Sequence, residues 1–163
     1  MVEKIKYPKK YVPKYLTKKD RKKYAKELEK SKKNYKKGKY YTRKKMNSYK
    51  HVKSPHIKNA IRIYKLENMK LNNFLSKQTG CSLKGLKQIY KKGQGAYYSS
   101  GSRPNQTADS WAYARVASSI TGGKSSKVDY HILEKTCKKG SKALKLAKKN
   151  LKLRKTAKRK IKI

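Results

Sequence analysis

The chain is 163 residues long and carries 49 Lys and Arg against 8 Asp and Glu, a formal charge of +41. Such a charge opposes any compact state by self-repulsion, and it exceeds several-fold the net charge of about 2–8 that serves a small soluble domain. It excludes a self-contained globular protein and calls for a polyanion, or a crowded assembly, that neutralises it. With 35% apolar residues and a mean hydropathy of −1.11 a large dry core is also excluded.

The length suits one ordinary domain. Fourteen tyrosines argue against simple disorder, because disordered polycations are poor in aromatics and Tyr favours interfaces. The charge divides unevenly. Residues 1–56 hold 22 basic and 4 acidic side chains, residues 57–137 hold 14 and 4, and residues 138–163 hold 13 and none. Two strongly basic ends therefore flank a milder middle.

Residues 1–16 read as an extended arm, since Pro8 and Pro13 oppose a helix and Tyr7, Tyr11 and Tyr15 recur among lysines as separate anchors. Thr17 can cap a helix whose first turn holds Asp20. Its apolar stripe, Tyr24, Leu28 and Tyr35, is thin, which predicts a helix lying on a surface without building a core. Residues 36–54 read as loop. Ser54 followed by Pro55 is a helix start, and Ile57, Ala60, Ile61 and Tyr64 form an amphipathic stripe. Leu71, Phe74 and Leu75 continue the apolar content up to Gly80. A further helix begins at Ser82, carries Leu83, Leu86 and Tyr90, and is expected to stop at Gly93 and Gly95.

Residues 93–107 read as the strongest loop of the chain. Thr107 then caps a helix through Ile120, in which Ala112, Ala114 and Ser118 would let another helix come close. Ser126 and Asp129 suggest a capping pair for one short helix with Val128, Ile132 and Leu133. Residues 141–163 contain no acid, so like charges at i, i+4 oppose helix, and the tail is expected to order only on a partner. The fold class is mainly α: residues 1–54 a basic, Tyr-rich arm with one helix, 55–137 a small α-helical domain, and 138–163 a basic C-terminal tail.

Catalytic patterns find little support. Gly122-Gly123-Lys124-Ser125 lacks the upstream glycine of a phosphate loop, because Ser118 stands there and the preceding element reads as helix. Ser99, Ser100 and His131 lack a nucleophile elbow. His51, His56 and His131 with Cys81 and Cys137 do not have metal-ligand spacing, and the two cysteines read as small buried residues, not as a bridge. Asn105-Gln106-Thr107 fits the glycosylation pattern, yet the N-terminal residues lack the apolar stretch of a signal peptide, so synthesis in the cytosol or nucleus is expected. No catalytic residue, metal, cofactor or small-molecule substrate is assigned.

The basic runs carry more weight. Arg21, Arg43, Lys44, Lys45, Arg103, Arg154, Lys155, Arg159 and Lys160 are the candidate polyanion contacts. Lys far outnumbers Arg, which favours point-charge contacts with phosphate over bidentate base reading. Interleaved Tyr suits stacking on bases or wedging between protein subunits. Tyr7, Tyr11, Tyr15, Tyr40, Tyr41, Trp111 and Tyr113 are the candidate assembly anchors.

The stretch Lys91-Lys92-Gly93-Gln94-Gly95-Ala96-Tyr97-Tyr98-Ser99-Ser100-Gly101-Ser102-Arg103-Pro104-Asn105-Gln106-Thr107, with Ser110-Trp111-Ala112 and Thr121-Gly122-Gly123-Lys124, resembles an uncharacterised domain in proteins of large icosahedral double-stranded DNA viruses, chiefly algal and amoebal ones. The similarity covers roughly residues 55–137. The resemblance implies a viral origin and a place in the particle as a minor capsid protein, on the inner side of the shell near an internal membrane. The leading expectation is thus a non-enzymatic virion structural protein whose basic arms bridge neighbouring subunits, with other capsid proteins, DNA or anionic lipid headgroups as partners. The alternative is a nucleic-acid-condensing protein of histone-like or ribosomal type. A third reading, an enzyme acting on nucleic acid at the loop from Gly95 to Asn105, has only Asp109 nearby to serve it.

Overall fold

A computed structural model describes residues 7–161, with side chains through Lys152. The chain is mainly helical, as its composition and caps imply. Among the described residues there are eight helices: α1 (Lys18–Lys36), α2 (Pro55–Tyr64), α3 (Asn73–Thr79), α4 (Leu83–Ser99), α5 (Ala108–Ile120), α6 (Lys124–Val128), α7 (Tyr130–Thr136) and α8 (Lys142–Ile161). None of them is long and apolar enough to cross a membrane.

The described chain forms two compact units. One comprises residues up to Val52 together with Gln94–Trp111, and the other Lys53–Gly93 together with residues from Ala112 onward. Helices α4 and α5 each contribute residues to both units.

In the first unit α1 begins where Thr17 accepts a hydrogen bond from the Asp20 N–H at 3.2 Å. The thin stripe does build a core: Tyr24 and Leu28 are fully enclosed, with Met46 beside them and Tyr7, Tyr11, Val12 and Tyr49 against them. Large side chains from outside the helix make up what its own stripe lacks. The expected extended path of residues 1–16 is corrected for the described part. Tyr11 and Val12 N–H groups both bond the Pro8 carbonyl, at 2.9 and 3.2 Å, and Leu16 bonds Pro13 at 3.2 Å, so the prolines shape turns.

The second unit holds the larger core. Ala60, Tyr64, Leu75, Leu86, Ile89, Val116, Ala117, Ile120, Ile132 and Leu133 are buried in it, joined by Ala143, Leu144 and Ala147 of α8. That last group explains why the acid-free tail is helical from Lys142. Burial of three apolar side chains outweighs i, i+4 repulsions of a few tenths of a kcal/mol each, about 0.2–0.5. Asn72 caps α3 through the Leu75 N–H at 2.9 Å, and Gly80 ends it at φ +76°.

Three further expectations are corrected. Helix α4 runs through Gly93 and Gly95 to Ser99. At Gly93 a Cβ would lie 2.7 Å from the Ala112 Cα, so this glycine permits close approach of two helices and does not end one. The short helix predicted around Ser126 and Asp129 is two helices, α6 and α7, and Asp129 makes no capping bond; it is wholly buried. Cys81 and Cys137 form a disulfide, inside a small antiparallel bridge where the Ser82 N–H bonds Thr136 at 2.8 Å and the Lys138 N–H bonds Gly80 at 2.9 Å. Their separation of 56 residues concealed the pairing, because only the folded chain brings the two strands of backbone together.

Candidate polyanion-binding surface

Most of the described carboxylates are engaged within the fold. Asp20 accepts from the Ser48 N–H at 3.0 Å and from its hydroxyl, and these bonds, hydroxyl first, hold its carboxyl below the usual range. Glu27 accepts from the Tyr41 hydroxyl at 2.7 Å and the Lys44 N–H at 3.0 Å. Glu29 accepts from the Tyr7 hydroxyl. Asp109 accepts from Gln94 at 3.0 Å. In the second unit Asp129 pairs with Arg115 at 2.8 and 3.0 Å and takes a third bond from Ser119 at 3.0 Å. These bonds fix the carboxylates in place without removing their charge, and the chain sets only 8 Asp and Glu against 49 Lys and Arg.

The phenols feel this arrangement. Tyr41 is pushed up to about 12, first by its bond to Glu27 and then by desolvation. Tyr7 is raised further, by burial and by Glu29. Tyr64 donates to the Ile120 carbonyl and is raised by burial.

Arg43, one of the expected polyanion contacts, is 5% exposed. Its Nη1 donates to Ser31 at 2.8 Å and to the Tyr97 carbonyl at 2.7 Å, its Nη2 to Ser102 at 2.7 Å, and its Nε to the Tyr24 hydroxyl at 3.2 Å. The guanidinium also lies 3.8 Å from the centre of the Tyr97 ring. Five donors in a fixed fork suit this web of neutral acceptors and one π-face. The charge is turned inward, so Arg43 holds the first unit together and is not presented to a partner.

The remaining predicted residues divide clearly. Arg21, Lys44, Lys45 and Arg103 are exposed. Arg154, Lys155, Arg159 and Lys160 lie outside the residues whose side chains are described. Tyr7 and Tyr11 pack on the core of the first unit, and Tyr11 meets Trp111 edge to face with centroids 6.1 Å apart. Tyr15 is half exposed and stacks on Tyr49 at 6.2 Å. Tyr113 packs edge to face on Tyr90 at 4.9 Å in the second unit.

Tyr40 is the most exposed large ring of the anchor set, at 73%. It lies 5.1 Å from Tyr98 and 6.3 Å from Tyr35, while Tyr35 and Tyr98 stack at 6.1 Å with planes 12° apart. The end of α1 produces this cluster. Gly38 adopts φ +75°, its N–H bonds the Tyr35 carbonyl at 3.0 Å, and the Lys39 N–H reaches back to Asn34 at 2.9 Å. This paired return closes the helix at a left-handed glycine and folds Tyr40 back beside Tyr35. The helix-stop signal at Gly38 was readable in the sequence. The participation of Tyr98 was not, because it required α4 to continue past Gly95.

Among the described residues no group of three or more His, Cys, Asp or Glu side chains is arranged to hold a metal ion. A shallow cleft of about 160 Å³ is lined by Thr121, Gly122, Leu146, Lys149 and Asn150. Residues 8–139 match the model of one protein family, described as a family of unknown function (DUF5824). No curated protein and no solved structure matches the chain.

Proposed function

The chain belongs to the family of unknown function DUF5824, and we propose that it is a non-enzymatic structural protein that works bound to a polyanion, as a minor capsid component on the inner side of a virus particle. The observation that carries the polyanion reading is the charge balance. With every carboxylate ionised, 49 Lys and Arg still face only 8 Asp and Glu, one of which, Asp129, is buried against Arg115, so a net +41 is left to be balanced from outside. The virion setting rests on the sequence resemblance around residues 91–124. In this reading the basic side chains of residues 1–54 and 138–163 meet neighbouring capsid subunits, anionic lipid headgroups or packaged DNA. Many of them ride on helices α1 and α8, which limits the ordering cost of binding.

The test is fractionation of intact particles with quantitative mass spectrometry and cross-linking. Stoichiometric copies that leave with the shell and cross-link to capsid subunits support the reading. Copies that stay with DNA after the shell is removed favour the nucleic-acid-condensing alternative, for which the exposed Tyr35 and Tyr40 rings speak. A purified chain that stays compact and monomeric at low salt, and ignores DNA, anionic vesicles and acidic proteins alike, removes both.

A further inference from the structure

We propose that the Tyr35–Tyr40–Tyr98 cluster is a stacking platform for the bases of single-stranded nucleic acid. This inference rests on the polyanion reading above and names the partner of one patch. Three features of the patch point to that occupant. First, Tyr40 leaves 73% and Tyr35 37% of their surface open, although each ring has two aromatic neighbours with which it could have closed a core. Stacked rings with an open face offer an unpaired base the same offset contact they make with each other.

Second, the platform is held from beneath. Tyr98 meets the buried Tyr97 edge to face at 5.1 Å, and Tyr97 is clamped by the Arg43 guanidinium on its ring and by the bond from the Arg43 N–H to its hydroxyl at 3.1 Å. At Gly95 a Cβ would only touch the Tyr35 hydroxyl, at 3.7 Å. Tyr98, the base of the platform, is therefore set before any ligand arrives, which lowers the ordering cost of binding.

Third, the charge matches. Lys36, Lys37 and Lys39 are all exposed next to the rings, and residues 30–66 contain no Asp or Glu. The Tyr98 phenol is raised first by burial, with Asp109 adding a smaller push, and Asp109 is bonded to Gln94. Exposed lysines adjacent in sequence to the rings supply the phosphate contacts that a strand needs while its bases stack. A duplex keeps its bases paired and covered, and a lipid headgroup has no ring to stack, so neither uses the tyrosines.

The experiment is fluorescence anisotropy of the full chain with a labelled 20-nucleotide poly-dT, the same length of duplex, and vesicles containing phosphatidylserine, over a series of salt concentrations. The wild type is expected to bind all three with salt-dependent affinity. Tyr40→Ala and the double variant Tyr35→Ala/Tyr40→Ala should lose about tenfold or more in affinity for poly-dT, from the stacking of one or two bases. Their salt slope should stay unchanged, and duplex and vesicle binding should be intact. Tyr40→Phe, which keeps the ring, should bind poly-dT as the wild type does. Replacing Lys36, Lys37 and Lys39 by Ala should flatten the salt slope for every ligand. Unchanged poly-dT binding in Tyr40→Ala, or an equal loss for duplex and vesicles, overturns the platform and leaves the polyanion reading standing. A wild type that binds none of the three overturns both.

Discussion

Arg43 and Tyr41, both picked out in the sequence for what they might reach outside, bond inside. For Arg43 the consequence is testable without removing charge. Lys cannot reproduce the bonds to Ser31, Ser102 and the Tyr97 carbonyl from one nitrogen, so Arg43→Lys leaves buried acceptors unmet. Chemical denaturation should show a loss of about 2–3 kcal/mol. Affinity of the folded protein for phosphate polymers should be unchanged, since that side chain is enclosed; unchanged stability together with weakened phosphate binding would place the guanidinium on the surface instead. Tyr41 gives a pH signature. Its folded pKa is raised above the ordinary phenol value, so its contribution is complete below about pH 10 and is lost as the pH climbs through about 12. The comparison is between wild type and Tyr41→Phe, which cancels every pH-dependent contribution the two share. From pH 10 to 12 the wild type should lose stability relative to the variant, read as the difference in thermal midpoints. A constant difference would mean that the phenol is not held by Glu27.

At the level of helices, glycines mark how far local signals carry. The starts of α1 and α2 and the end of α3 were legible because a cap, a proline or a left-handed glycine acts within four residues of itself. The fate of Gly93 and of Gly85 depends on distant neighbours. At Gly85 an added Cβ would sit 2.1 Å from the Thr136 hydroxyl oxygen and 2.5 Å from its Cβ. Ala normally gains about 1 kcal/mol over Gly within a helix. Here the stiff, branched Thr136 must move, and Gly85→Ala should destabilise by about 1–3 kcal/mol. Gly95→Ala is the control in the same helix, where the nearest atom is at ordinary contact distance. It should be neutral or slightly stabilising. If both variants stabilise alike in urea melts, α4 does not approach Thr136 as described. The disulfide belongs to the same scale. It ties the start of α4 to the end of α7 across 56 residues, and the chain-entropy model assigns such a loop about 4 kcal/mol. Cys81→Ala/Cys137→Ala should speed amide exchange at Leu86 and Ile132, while Tyr24 and Leu28 in the other unit keep their protection. Unchanged exchange at Leu86 would mean the bridge contributes nothing there.

Over the whole molecule, the sequence made the helical class visible, since it follows from caps and period. It did not show that residues 7–52 supply a core, because that core is completed by residues 94–111, far along the chain. Tyr24 illustrates the point: its hydroxyl donates to the Ser102 carbonyl at 2.7 Å, 78 positions away. The net charge makes global stability a measure of screening. With 49 Lys and Arg against 8 Asp and Glu, the surface lysines repel one another in the folded state more than in the expanded chain. Added NaCl should raise the thermal midpoint by screening that repulsion, with most of the gain below about 0.15 M, where the Debye length shrinks to ~8 Å. Polyphosphate at low salt should raise it further, through about 2.7 kcal/mol of added stability at a hundredfold excess over its dissociation constant, and that increment should disappear as salt competes for the lysines. The two effects therefore oppose one another in a mixed titration. A midpoint that falls with NaCl, or that ignores polyphosphate in dilute buffer, would show that the positive surface is neutralised from within.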